Sequence, residues 1–216
     1  MAPAPSALVF GSQTTLPSVT AASRLRAALL LDPRLYQLRT SIESLPEIWP
    51  ALAISDPALE RVAGPAEKSL RQLCRWLSHS EFPDATEISE LPATFVTPFT
   101  VILHTVLYMH YTDENGSLGH ADVLRAVRNN GGVQGFCTGF LTAVSVATSP
   151  DLEALSRQAS VALRLAVAIG AYIDLDLMDS DVSSVAVRSR AGKKGLEDSL
   201  AHFPGVSMLP SGHCTH

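Results

Sequence analysis

Gly132-Val133-Gln134-Gly135-Phe136-Cys137-Thr138-Gly139-Phe140-Leu141 reads as a buried strand, a sharp turn and the start of a helix. Cys137 stands at the turn with Gly135 two residues before it and Gly139 two residues after it. This is G-x-C-x-G, the cysteine form of the nucleophile elbow. At such an elbow the nucleophile's backbone is held in a strained conformation, so that its sulfur projects above the sheet. The residues at −2 and +2 then crowd each other, and only small ones fit. The following run, Phe140 to Ala147, has the composition of a buried helix. Free N–H groups and the positive dipole end at its start would favour a thiolate and a developing oxyanion.

A chain of 216 residues is long enough for one large domain, or one domain plus part of another. An apolar fraction of 46% and a mean hydropathy of +0.18 support a substantial core and argue against general disorder. The net charge of −5, without a long basic run, gives nucleic-acid binding little support. Cys74, Cys137 and Cys214 are too scattered for a disulfide framework and suit a reducing compartment. The opening Met1-Ala2-Pro3-Ala4-Pro5 lacks a basic signal-peptide start. No uninterrupted apolar run reaches the roughly 18 residues a bilayer span needs. The best candidate, Ala159 to Ile173, is broken by Arg164. The expectation is a soluble, cytoplasmic chain with no membrane or nucleic-acid partner.

Outward from the elbow, Ala7-Leu8-Val9-Phe10-Gly11 reads as a first buried strand, delivering its carboxyl end to the loop Gly11–Thr15. Helices are expected over Pro17–Leu31 and, after the stop at Asp32-Pro33, over Pro33–Leu45. Pro46 and Pro50 should break the chain into a loop. A helix opening near Pro65 would bury Ala66, Leu70, Leu73, Cys74 and Leu77 and pair Glu67 with Arg71 on its wet face. Residues 78–92 read as a surface connection. Thr97-Pro98 should cap and open a helix buried on most sides. His104 and His110 on it read as hydrogen-bonded interior or boundary groups. Asp113 to Gly116 reads as a turn, and His120 to Val127 as a helix.

Beyond the elbow helix, Ser149-Pro150-Asp151 ends one helix and starts another, with Leu152, Leu155, Ala159, Leu163, Val167 and Gly170 on its apolar face. Arg164 reads as snorkelling to water, with a ligand-facing role as the alternative. Val182 to Val187 alternates like a strand, Gly192 to His202 suggests a helix, and Val206 to Met208 a second strand. Arg188, Arg190, Lys193 and Lys194 read as a solvated turn. His213, Cys214 and His216 lack the paired spacing of a metal site.

Five separated stretches together resemble the starter-unit acyltransferase domain at the N-terminus of fungal non-reducing polyketide synthases. They are Leu8–Gln13, Leu91-Pro92 with Thr97–Ile102, Gly135–Leu141, Ala162–Gly170 and Ser183–Val187, in order across about residues 7–205. The resemblance implies an α/β, malonyl-transferase-like fold. An α/β-hydrolase-like large subdomain, a parallel sheet with flanking helices, would carry an incomplete ferredoxin-like small subdomain. On that division residues 1–180 form the nucleophile-bearing part, 181–209 the partial small subdomain and 210–216 an irregular tail. It implies that Cys137 takes an acyl group from acyl-CoA or a fatty-acid synthase carrier and passes it to an acyl carrier protein. Acyl-CoA or acyl-phosphopantetheine is then substrate, with no bound cofactor. The backbone N–H groups of Gln13 and Thr138 match the family's oxyanion-hole pair.

The family's general-base histidine lies beyond a complete small subdomain, and a ferredoxin-like unit needs four strands and two helices. His202, His213 and His216 sit in no matching motif, so no residue is assigned as base. The chain reads as a truncated starter acyltransferase, with a catalytically inactive remnant as the alternative. A small cysteine thioesterase recruiting His213 or His216 ranks lower. An uncovered half-sheet after about Asp181 would invite self-association.

Overall fold

The computed structural model describes residues 5–12, 17–83, 91–114 and 119–179. They belong to one compact unit spanning residues 1–180. The strands and helix expected over 181–209, the tail at 210–216, and the association argued from them lie outside the described residues.

Two short segments far apart in sequence meet as a parallel pair. Strand β1 (Ala7–Phe10) runs beside β2 (Gly132–Gly135), with Ala7 opposite Gly132 and Phe10 opposite Gly135. The pairing carries the end of β1 to the foot of the elbow. The rest of the described chain is helical: α1 (Val19–Leu31), α2 (Tyr36–Glu43), α3 (Leu45–Ser55), α4 (Ala63–His79), α5 (Ala93–Glu114), α6 (His120–Arg128), α7 (Gly139–Thr148) and α8 (Leu152–Asp179). The result is a mostly helical α/β architecture with a small parallel sheet. β2 is less buried than its sequence suggests: Gln134 is exposed and its neighbours half-buried. A two-stranded sheet offers the helices little face to cover.

Local signals set most boundaries. Ser18 caps α1 by accepting from Ala21 N–H at 3.3 Å, and Ala22, Leu25 and Leu29 form its buried stripe. Asp32 ends that helix and caps the 3-10 turn Pro33–Leu35, accepting from Arg34 N–H at 2.9 Å. The helix expected over Pro33–Leu45 is therefore a 3-10 turn followed by α2, with Leu35, Leu38 and Ile42 buried. α4 buries Ala66, Leu70, Leu73 and Leu77 and ends at Ser80, which is left-handed at φ +66°. Glu67 and Arg71 face each other at 3.7 Å on its wet side.

Three local expectations fail for tertiary reasons. Pro46 and Pro50 do not break the chain; they lie in α3. Pro46 occupies the first turn, where a missing N–H costs nothing. Leu45 and Trp49, 0% and 1% exposed, bury enough apolar surface to offset an interior proline worth about 3 kcal/mol. The helix expected to open at Thr97-Pro98 instead starts at Ala93, with Pro98 inside it. Its cap comes from α8: Asp174 accepts from Ala93 N–H at 2.6 Å and from Thr94 N–H at 2.9 Å. α5 also continues through Asp113 and Glu114, where a turn was expected. By length and composition alone α5 could cross a membrane, but 72% of its apolar window is buried in this fold. It is the central core helix.

α8 is its main neighbour. Gly170 lets the two backbones touch: a Cβ there would lie 2.5 Å from the Ala93 carbonyl oxygen. Trp76, Phe82, Phe95 and Phe99 form an aromatic cluster between α4 and α5, with Trp76 edge-on to Phe99 at 5.0 Å between centroids.

Candidate active site

Cys137 has φ +53°, a left-handed conformation uncommon for a side chain with a Cβ. Such a residue costs on the order of 1–3 kcal/mol and persists only where its surroundings fix it. Here they do. Phe136 N–H donates to the Phe10 carbonyl at 2.9 Å, which ties the turn to β1. Gly139 N–H donates to Phe136 O and Phe140 N–H to Cys137 O, both at 3.0 Å, closing the turn onto α7.

The two glycines are required by contact. A Cβ on Gly135 would lie 2.4 Å from Phe140 Cα and 2.7 Å from Gly139 O. One on Gly139 would lie 2.3 Å from Phe10 O and 2.4 Å from Gly11 O. The crowding expected between positions −2 and +2 is present and extends to the end of β1. The strand–turn–helix context of the motif is complete, and the Cys137 side chain is exposed at its apex.

The electrostatic setting differs from the expectation in one respect. The N–H groups of Gly139, Phe140 and Leu141 are not free at the start of α7; they donate to the carbonyls of Phe136, Cys137 and Thr138. The tight turn that lifts Cys137 consumes them. Thr138 is buried, helical in conformation and caps α7, with its Oγ1 3.9 Å from Cys137 Sγ. Gln13, the other expected oxyanion donor, lies outside the described residues. Gly11 and Ser12, which lead to it, are described, and Gly11 O packs against Gly139.

The described histidines on α5 and α6 are engaged elsewhere or unpartnered. His110 is exposed and faces Glu114 at 3.1 Å. His120 is buried, with Nε2 2.8 Å from Ser149 O and Nδ1 2.8 Å from Tyr108 Oη. The carbonyl can only accept, so Nε2 carries the proton and the Tyr108 hydroxyl donates to Nδ1. This network joins α5, α6 and the α7–α8 turn at the far end of α7 from the elbow, a role the sequence pattern does not signal. His104 packs its ring 5.7 Å from Phe10, and burial pushes its pKa down. Its Nδ1 is buried without a partner, contrary to the hydrogen-bonded role expected. Cys74, read as a core residue, is half-buried, donates to Ile42 O at 3.2 Å and has its pKa pushed up to about 11 by burial. Arg164 is exposed, as snorkelling requires. Among the described residues no cluster of three or more His, Cys, Asp or Glu side chains forms a metal site. His202, His213 and His216 lie outside the described residues.

Residues 50–207 match a family described as starter unit:ACP transacylase in aflatoxin biosynthesis. A non-reducing polyketide synthase of Emericella nidulans is 96% identical over 206 residues, covering 95% of this chain and 8% of the relative. A non-reducing polyketide synthase of Penicillium shearii is 36% identical over 94% of this chain and 9% of its own length. The 5-methylorsellinic acid synthase of Aspergillus terreus is 35% identical over 94% of this chain and 8% of its own length. The chain thus spans less than a tenth of the length of these relatives.

Proposed function

The chain belongs to the starter unit:ACP transacylase family, and we propose that it transfers an acyl group through a thioester on Cys137 to an acyl carrier protein. The observation that carries this reading is the left-handed Cys137 at φ +53°, wedged between Gly135 and Gly139 with its side chain exposed. An alkylation-prone surface thiol needs no such backbone; a nucleophile that must meet an acyl carbonyl at a fixed angle does.

In the proposed reaction the Cys137 thiolate attacks the carbonyl carbon of an acyl thioester carried by coenzyme A or a fatty-acid synthase carrier. A C–S bond to Cys137 forms, the donor's C–S bond breaks, and the donor leaves as a thiolate that takes up a proton. The phosphopantetheine thiol of the carrier protein then attacks the acyl-Cys137, loses its proton and releases the Cys137 thiolate. The tetrahedral oxyanion of each step is assigned to the backbone N–H groups of Gln13 and Thr138; losing one such donor typically costs about 3 kcal/mol in barrier. The fold assigned to this chemistry is the α/β-hydrolase-like half of a malonyl-transferase-like acyltransferase, working in the cytoplasm.

A second reading has one observation behind it. Among the contacts of the described histidines on α5 and α6, none is with Cys137. Without a base, a chain could be acylated on Cys137 and yet fail to hand the group on. Incubation with a panel of acyl-CoAs and a carrier protein, read by intact mass, separates the two. Transfer predicts acyl-Cys137 followed by acyl-carrier; the second reading predicts acyl-Cys137 alone. Neither mass increment, or increments that survive Cys137→Ala, would sink the proposal.

A further inference from the structure

At the end of α7 opposite the elbow lies a cleft of about 520 Å³. It is lined by α6, the start of β2, the end of α7 and the α7–α8 turn. Leu124, Val133, Ala147 and Pro150 give it an apolar surface, and Arg125 and Arg128 supply its charge. The length of α7, about 15 Å, separates that end of the helix from the turn bearing Cys137.

Charge singles this cleft out. The whole chain carries −5, yet among the described residues no carboxylate lines it. A second cleft of about 590 Å³, between α4 and the α2–α3 junction, sets Glu43 and Glu67 among Lys68, Arg71 and Arg75, so that much of the charge there is offset. The two arginines of the first cleft are unequal. Arg125 donates to Asp122 at 2.5 Å and is neutralised by it. Arg128 is exposed and has no hydrogen-bond or ion-pair partner among the described residues. Both sit in the last turn of α6, at the negative end of its dipole. That accounts for cations there, and not for the apolar walls beside them.

We propose that this cleft binds a small organic monocarboxylate with an apolar body. One uncommitted guanidinium matches one carboxylate, which its fork can hold by two parallel N–H···O bonds. Leu124, Val133, Ala147 and Pro150 then cover the body, in a cavity of the size that small-molecule sites have. A dianion such as phosphate would leave the apolar walls bare and half its own charge unmatched. A neutral apolar molecule would strip water from Arg128 without replacing it. An occupant also braces the fold: Ser149 and Pro150 line the cleft, and the Ser149 carbonyl accepts the His120 hydrogen bond. The proposal does not depend on acyl transfer through Cys137.

The test titrates the 216-residue chain at neutral pH with octanoate and with 2-naphthoate, by calorimetry, and with the amide of each as its neutral counterpart. At least one acid should bind once per chain with a Kd of about 0.1–1 mM, and its amide far more weakly. Arg128→Gln should weaken the acid about tenfold. Ala147→Glu, at an exposed helical position, spares the fold and sets a fixed carboxylate in the cleft, so binding should be lost. Arg164→Gln, at an exposed arginine on α8 outside the cleft, should leave Kd unchanged. Saturating acid should raise the urea midpoint of the wild type and not that of Ala147→Glu. Failure of both acids to bind below about 5 mM, equal affinity for acid and amide, or binding that survives both Arg128→Gln and Ala147→Glu overturns the proposal. Each of those results leaves the acylation of Cys137, read separately by mass, untouched.

Discussion

Gly139 lies so close under Phe10 that a Cβ on it would stand 2.3 Å from the Phe10 carbonyl oxygen. The same oxygen accepts from Phe136 N–H at 2.9 Å. One carbonyl at the end of β1 therefore holds both sides of the turn that presents Cys137. Gly139→Ala must push β1 away or open the elbow. The expected cost is about 1–3 kcal/mol of stability, with loss of most Cys137 acylation; Gly135→Ala should behave alike. Urea melts and intact-mass labelling check both. Wild-type labelling by either variant would show that the glycines do not position the sulfur.

A long-range cap fixes the start of α5. Asp174 accepts from Ala93 and Thr94 N–H and from the Thr94 hydroxyl. Asp174→Ala should cost about 1–2 kcal/mol in denaturant unfolding. Asp174→Asn, which keeps one accepting oxygen, should cost less. Equal midpoints for wild type and Asp174→Ala would contradict this.

The His120 network is buried, so breaking it leaves partners unsatisfied. His120→Ala strands Ser149 O and the Tyr108 hydroxyl and should cost on the order of 2–4 kcal/mol. Tyr108→Phe removes one donor and should cost about 1 kcal/mol. The order of the two unfolding midpoints is the readout; a larger loss in Tyr108→Phe would mean the His120–Ser149 bond contributes little.

Arg34 bridges Asp32 and Asp113, at 2.6 Å and 2.5 Å, tying the 3-10 turn before α2 to the end of α5. Its hydrogen bonds hold both carboxyls below the usual carboxylate range. A depressed folded-state pKa contributes stability that is present above the unfolded value, near 4, and is lost as pH falls through the folded one. The groups are partly exposed, so the stabilisation is about 1 kcal/mol or less. Arg34→Met should lower the midpoint at pH 7 and leave the midpoint at pH 2.5 nearly unchanged. A larger loss in acid than at neutrality would reverse the assigned sign.

How far the sequence could be read depended on where each cause lay. The elbow was legible because its constraints are local: two glycines, a turn and a helix within ten residues. The starts of α1 and α8 were legible for the same reason, since Ser18 and Asp151 cap within three residues. The start of α5 was not, because Thr97-Pro98 mimics a local cap while the real one arrives from some 80 residues downstream. α3 survives two prolines because Leu45 and Trp49 are buried by distant partners that no local pattern displays. At the site, the turn's own use of the Gly139, Phe140 and Leu141 N–H groups could not be foreseen from residue types. Neither could the His120–Tyr108 pair, whose members look like an ordinary helix start and an ordinary aromatic.

Site-resolved acylation tests the central claim most directly. The full chain is incubated with acyl-CoA at neutral pH, digested without reductant and mapped by tandem mass spectrometry. Burial raises the Cys74 pKa to about 11, leaving it thiolate only about once in several thousand molecules near pH 7.5. The account predicts an acyl increment on the Cys137 peptide, absent in Cys137→Ala, with Cys74 unmodified. An increment on Cys74 ahead of Cys137, or an unmodified Cys137 that iodoacetamide still alkylates freely, would contradict it.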